Sequence, residues 1–312
     1  MSPTDFPVER ARVRGVLCLA FIRAGAGGFP LLLLHGFPET KRIWWRNIAP
    51  LAAAGLEVIV PDLRGYGDSD LAPDGHYDLP THARDLYALV HDVLGHERCA
   101  AAAGDLGGAI LIDLGLRFPG FVARQCIFNT LLPILPDDYA AAGIRPDPPR
   151  SRRPESDYFI RQATDADGLA AELDTPEKRR RYVAAMYGHR FWAAPGAFEA
   201  ADVDFMTEPF ADGAKLRAGF ANYEYGMGRR PGTEPPRFFE KVAVPTLVLY
   251  GPEDHVVARD FMAKAEVAFP ERVGPLIVPG AGHFLQWERA HVFNQAVTYF
   301  CRDLVCGQPI LD

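Results

Sequence analysis

The sequence predicts an α/β fold in which a mostly parallel sheet, covered by helices on both faces, is interrupted by a helical insert. Three observations predict it. Apolar runs of strand length alternate with helical patterns over residues 1–132. The alternation stops at a stretch rich in Pro and Arg, and a helical pattern follows it. The strand–helix alternation then resumes from residue 241. Strands that alternate with helices form parallel sheets, and such strands read as continuous apolar runs because both faces are buried.

The elements follow in order. Residues 8–24, "VERARVR" then "VLCLAFIRAG", alternate with the period of a strand pair. "FPLLLLHG" is a strand buried on both faces. Residues 41–54 read as a helix, "LEVIVPD" as a strand and "LPTHARDLYALVHDVLG" as a helix. "RCAAAAG" is a short strand, "LGGAILIDLGLRFP" a helix and "VARQCIFNT" a strand. Residues 133–154 read as a linker or an extended entry segment. From 156 to 228 the pattern is helical, with Thr175 as an N-cap and Pro176 at the first helical position of one helix. A second Pro-rich stretch, "RRPGTEPPRFFEKVAVP", ends this segment. Strand "PTLVLYG", a helix over 256–269, strand "VGPLIVPG" and a closing helix from 284 complete the pattern. The core is therefore expected at 1–132 and 241–312, and the helical insert at 133–240.

Bulk properties narrow the function. With 312 residues, the chain can bury a large core and still carry an insert. A net charge of -7 argues against a nucleic-acid partner, because phosphate binding needs a basic surface. Cys18, Cys99, Cys126, Cys301 and Cys306 are odd in number and lack any C-x-x-C pair. They read as reduced thiols of a cytoplasmic protein. No apolar stretch is long enough to span a membrane. No H-E-x-x-H or paired-Cys spacing points to a metal.

The chemistry concentrates in four short segments, each just past an expected strand. "AAGDLGGA", residues 102–109, has the small-x-nucleophile-x-small spacing of a nucleophile elbow, with Asp105 at its centre. Alone, Asp105 could equally be a helix N-cap. "LLLLHGFPET" places a His-Gly-x-Pro loop, His35, Gly36 and Pro38, after the first buried strand. The Phe37 amide there and the Leu106 amide after Asp105 can form an oxyanion hole. A plain Gly-Pro turn would leave the same letters. "LVLYGPEDHVV" sets Asp254 three residues past a strand-ending glycine, with Glu253 and His255 as rivals. "VPGAGHFLQWE" sets His283 after the last strand. The other histidines compete with it: His35, His76, His189, His255 and His291, with His82, His91 and His96 expected on or after a surface helix. Jointly, nucleophile, acid and histidine occur in one chain order at the C-terminal ends of strands, where α/β sheets carry their sites.

An aspartate at the elbow selects a chemistry. Attack of a carboxylate on an acyl ester would give an anhydride, a high-energy intermediate. Attack of a serine on an epoxide or alkyl halide would give an ether, which water does not cleave. A carboxylate attacking an sp³ carbon gives an alkyl ester. Water activated by His283, with Asp254 behind it, can hydrolyse that ester.

With these motifs in place, the sequence resembles the α/β-hydrolase-fold epoxide hydrolases. "HGFPE", "VIVPDLRGYGDSD", "GDLGG", "YGPEDHVV" and "GAGHFLQWE" carry the resemblance, which covers most of the chain. It implies the α/β-hydrolase fold with a helical cap domain, no cofactor, and a small-molecule epoxide as substrate for a monomer or homodimer. It also implies two cap tyrosines that hydrogen-bond the epoxide oxygen. Tyr223 and Tyr158 match those positions, with Tyr187 and Tyr225 as fallbacks. Haloalkane and haloacetate dehalogenases are the alternative. The first kind places Trp directly after the nucleophile, where this chain has Leu106. The second places Arg there and three residues further on, where this chain has Leu106 and Ala109. A non-catalytic ligand receptor on the same fold is the remaining reading.

Overall fold

The computed structural model describes residues 1–15, 17–145, 157–188, 192–257 and 260–306. The end of the first linker, from 146, and His189 lie outside the described residues. The sheet has eight strands: β1 (Val8–Val13), β2 (Leu17–Ala24), β3 (Phe29–Leu34), β4 (Leu56–Pro61), β5 (Cys99–Gly104), β6 (Val122–Thr130), β7 (Thr246–Tyr250) and β8 (Arg272–Ile277). Their order across the sheet is β1-β2-β4-β3-β5-β6-β7-β8. β1 pairs antiparallel with β2, and β2 antiparallel with β4; the remaining pairs are parallel, as the strand–helix alternation predicts. β4 and β5 are buried along their whole length, which explains why "LEVIVP" and "CAAAAG" lack alternation.

The register aligns the strand ends that matter. Leu34 pairs with Ala103, Ala103 with Ile127, and Ile127 with Val248. Tyr250 pairs with Ile277. The segments that follow β3, β5, β7 and β8 therefore emerge on one edge of the sheet, side by side.

In the core, helices α1 (Ile48–Ala53), α2 (Leu79–Tyr87) and α3 (Asp105–Arg117) precede β6. Between β6 and β7, α4 (Pro136–Ala141), α5 (Asp157–Thr164), α6 (Ala166–Glu172), α7 (Pro176–Gly188), α8 (Ala200–Thr207) and α9 (Gly213–Gly226) form the insert. The expected cap on α7 is present, with the Lys178 amide donating to Thr175 Oγ1 at 3.2 Å. The chain then returns to the core through α10 (Phe261–Ala268), α11 (Leu285–Glu288), α12 (Ala290–Phe300) and α13 (Arg302–Cys306).

Three expectations need correction. Residues 41–54 are not one helix but a 3₁₀ turn over Lys41–Trp44 followed by α1. Pro50 has no N–H to give the Arg46 carbonyl, which instead accepts from Asn294 Nδ2 at 3.1 Å. The helix expected from 256 starts only at Phe261, because Asp254 Oδ1 holds the Val256 amide in a turn at 2.7 Å. His82 is not a surface residue. It is buried under α9, where its Nε2 lies 3.1 Å from Asn222 Oδ1, and burial pushes its pKa down to about 3.

Candidate active site

The site starts from the turn between β5 and α3. Asp105 sits there with φ +45°, in the left-handed region that a non-glycine residue seldom occupies. This turn lifts its carboxylate out of the sheet edge toward the loop after β3. The approach is close enough to require glycine at Gly36, where a Cβ would run into the Asp105 side chain. Gly107 is constrained likewise, since a Cβ there would lie 2.6 Å from the His35 carbonyl oxygen.

The two carboxylate oxygens of Asp105 have separate partners. Oδ1 accepts from the Phe37 amide at 2.6 Å, and Oδ2 lies 3.1 Å from His283 Nε2. The other ring nitrogen, Nδ1, lies 2.9 Å from Asp254 Oδ2. Asp254 Oδ1 also accepts from the Val257 amide at 3.3 Å, which leaves this carboxylate little freedom to turn. Leu106 is the second residue of α3, so its amide is among the first four, which have no acceptor within the helix.

His35 supports the loop rather than the chemistry. Its Nε2 accepts from the Leu63 amide at 2.9 Å, so Nδ1 carries the proton and donates to the Gly36 carbonyl at 2.9 Å. Burial pushes its pKa down to about 4, so the ring is neutral. Pro38 offers its carbonyl to the Tyr187 hydroxyl at 2.6 Å, tying α7 to this loop.

His283 is buried with two carboxylates on its ring. Burial disfavours the imidazolium, but the charges of Asp254 and Asp105 outweigh it and hold the pKa well above the ordinary histidine range. The backbone around it is fixed from several sides. Its amide donates to the Trp192 carbonyl at 2.6 Å, and Asn129 Nδ2 donates to the Gly282 carbonyl at 2.7 Å.

The tyrosines converge on this centre from the insert. Tyr223 on α9 is buried, and its ring meets Phe37 edge-on with centroids 5.3 Å apart. Tyr158 on α5 lies 5.8 Å from Tyr223, Trp192 lies 4.8 Å from Tyr158, and the His283 ring lies 4.9 Å from Trp192. A chain of ring contacts thus runs from Phe37 to His283, and both of its ends are hydrogen-bonded to the same carboxylate. Burial, with Tyr158 and the charge of Asp105 adding to it, raises the Tyr223 pKa well above the usual phenol value. The fallbacks are engaged elsewhere. Tyr187 donates to Pro38, and the Tyr225 hydroxyl lies 2.9 Å from His76 Nδ1 in a separate small cluster with Tyr77. Of the rivals, Glu253, His255 and His291 are exposed.

Sequence reasoning missed three participants. Glu39, buried, accepts from the Gly36 amide at 2.6 Å and from Gln286 Nε2 at 2.9 Å. Burial and the charge of Asp105 push its pKa up to about 7. Trp192 and Glu288 flank the His283 loop. Glu39 and Glu288 stand inside the motifs "HGFPE" and "GAGHFLQWE", but nothing in those letters marks the acids as buried.

The fold and this geometry define a class. The chain belongs to the alpha/beta hydrolase fold family, whose model matches residues 30–290. Within that class it is 29% identical to "Epoxide hydrolase A" of Mycobacterium tuberculosis, over 97% of this chain and 98% of that protein. It is 28% identical to "Soluble epoxide hydrolase" of Corynebacterium sp. (strain C12), over 95% of this chain and 98% of that protein. Among solved structures, "Epoxide hydrolase CorEH without ligand" superposes with a TM-score of 0.81 at 20% identity, covering 96% of this chain and 100% of that one, a likeness of fold.

Proposed function

We propose that this protein converts an epoxide to a vicinal diol through an alkyl ester on Asp105, with residues 133–240 acting as a cap over the reaction. The observation that carries the reading is the division of labour at one carboxylate, with Oδ1 on the Phe37 amide and Oδ2 beside His283. The names of its relatives support the same activity.

In this mechanism Oδ2 attacks a ring carbon of the epoxide and the C–O bond opens. Tyr158 and Tyr223 hydrogen-bond the leaving oxygen, and one of them transfers its proton to give the hydroxyl. The ester neutralises Asp105 and removes one of the two charges that hold the proton on His283. His283 then releases that proton, which restores the tyrosine, and becomes a neutral base. Water gives a proton to His283 Nε2 and its oxygen adds to the Asp105 carbonyl carbon. The Phe37 and Leu106 amides stabilise the resulting oxyanion on Oδ1. Collapse breaks the acyl–oxygen bond and the diol leaves with the proton from His283; the new Asp105 carboxyl group then gives its remaining proton to His283, which restores the carboxylate and the imidazolium. The aromatic wall of Phe37, Tyr158, Trp192 and Tyr223 suits an uncharged, apolar substrate. Halide displacement finds no indole donor after the nucleophile, because residue 106 is Leu.

A single turnover of styrene oxide in H₂¹⁸O tests the reading. The expected result is unlabelled diol, with the label recovered in the peptide that carries Asp105. Label in the diol, with none in that peptide, overturns the ester mechanism; halide release from alkyl halides without epoxide turnover favours the dehalogenase alternative.

A further inference from the structure

Among the described residues, the buried carboxylate of Glu288, at the end of α11, has no hydrogen bond to the candidate catalytic side chains, and its three hydrogen bonds go to backbone amides packed around His283. Oε2 accepts from the Gly282 amide at 2.6 Å and from the Ala194 amide at 3.0 Å. Oε1 accepts from the Phe284 amide at 3.0 Å. Gly282 and Phe284 flank His283, and Ala194 belongs to the insert. Between these bonds, the His283 amide donates to the Trp192 carbonyl at 2.6 Å. The two strips of backbone lie so close that a Cβ on Gly282 would come within 2.5 Å of the Ala194 nitrogen. Glu288 is 7% exposed, so these three bonds are largely shielded from solvent.

We propose that Glu288 is a positioning residue: by bridging the amides of Gly282, Phe284 and Ala194, it locks segment 192–194 of the insert to the histidine loop and holds the His283 ring in register with Asp105 and Trp192. The assignment of a hydrolytic step to His283 rests on the proposed function; the bridge itself does not. The physical reason for a carboxylate is the count of donors. Three N–H groups converge on it, and each would be a buried orphan without it. A glutamine can replace one oxygen, but its NH₂ must then face a backbone N–H. Asn129 holds the core side of the loop independently, through the Gly282 and His283 carbonyls. What Glu288 adds is the link to the insert. Ester hydrolysis needs Nε2 aimed at a water over the Asp105 carbonyl carbon, and a displacement of about 1 Å can cost ~10²-fold in rate. Alkylation needs only the Asp105 oxygen and an acid.

Two measurements on the Glu288→Gln protein test this. Amide hydrogen exchange, which needs no substrate, should show segments 192–194 and 282–284 losing at least about tenfold in protection while the central strands keep theirs, the scale of one lost buried hydrogen bond. Single-turnover kinetics with styrene oxide should show ester hydrolysis slowed roughly 10²-fold, alkylation changed by less than about threefold, and the ester on Asp105 accumulating. Unchanged exchange in both segments overturns the proposal. So does an equal fall of both chemical steps, because that is the mark of general destabilisation. Absence of any Asp105 adduct even in wild type refutes the proposed function alone, and the exchange result still decides the role of Glu288. If Glu288→Gln does not fold, Glu288→Asp is measured by the same two criteria.

Discussion

The Phe37 amide points at Oδ1 of Asp105 from 2.6 Å. In the proposed mechanism the same amide stays on that oxygen when it carries the charge of the tetrahedral intermediate. Asp105→Ala removes the carboxylate that forms the ester in the proposed mechanism. Diol production should fall to background in freshly purified protein, and Asp105→Asn should start equally dead. Diol formation is the readout, and wild-type-like rates in Asp105→Ala would remove Asp105 from the mechanism.

His283→Gln separates the two steps. Alkylation by Asp105 should still occur, and hydrolysis should stop for want of a base. Intact mass after mixing with epoxide should rise by one substrate, on the peptide that contains Asp105. If the epoxide binds and no adduct forms, His283 does not serve the second step alone.

Tyr158→Phe and Tyr223→Phe each delete one hydroxyl and keep the ring contacts with Trp192 and Phe37. Each should slow alkylation by roughly 10²–10⁴-fold, the scale of general acid catalysis, and leave the His283-dependent step nearly intact. Rapid-quench measurement of ester formation reads the first step directly. Two single variants that alkylate at the wild-type rate would show that the proton comes from elsewhere.

Glu39→Gln should alter the pH dependence of stability in one direction. The ordinary value for this carboxyl is 4.5, and in the folded protein it is pushed up to about 7. Between those values the folded state holds a proton that the unfolded chain has released. Stability therefore falls as pH rises through this window, by up to roughly 3 kcal/mol. Glutamine has no such proton to lose. Gln286 Oε1, buried without a hydrogen-bond partner among the described residues, can accept from the new amide once Gln286 turns over. The Tm of Glu39→Gln relative to wild type should accordingly rise by several degrees between pH 5 and pH 8. A constant difference across that range would mean that Glu39 titrates normally.

Much of this protein was legible before its structure. The buried strands announce themselves as apolar runs, because a strand covered on both faces has no polar side to alternate with. The catalytic candidates were legible for a related reason. Asp105, Asp254 and His283 each stand a few residues past a strand, and parallel strands bring those ends to one edge whatever the intervening chain does. The extra residues were hidden because each has at least one partner that is distant along the chain. Nothing local marks His82 as buried, since its partner Asn222 is 140 residues away. Glu288 reaches Ala194 across 94 residues, and Asn294 reaches the Arg46 carbonyl across 248. Period and spacing describe what a residue shares with its near neighbours. Which buried polar group completes another's hydrogen bonds depends on how the insert and core pack, and packing brings together atoms that no sequence interval relates.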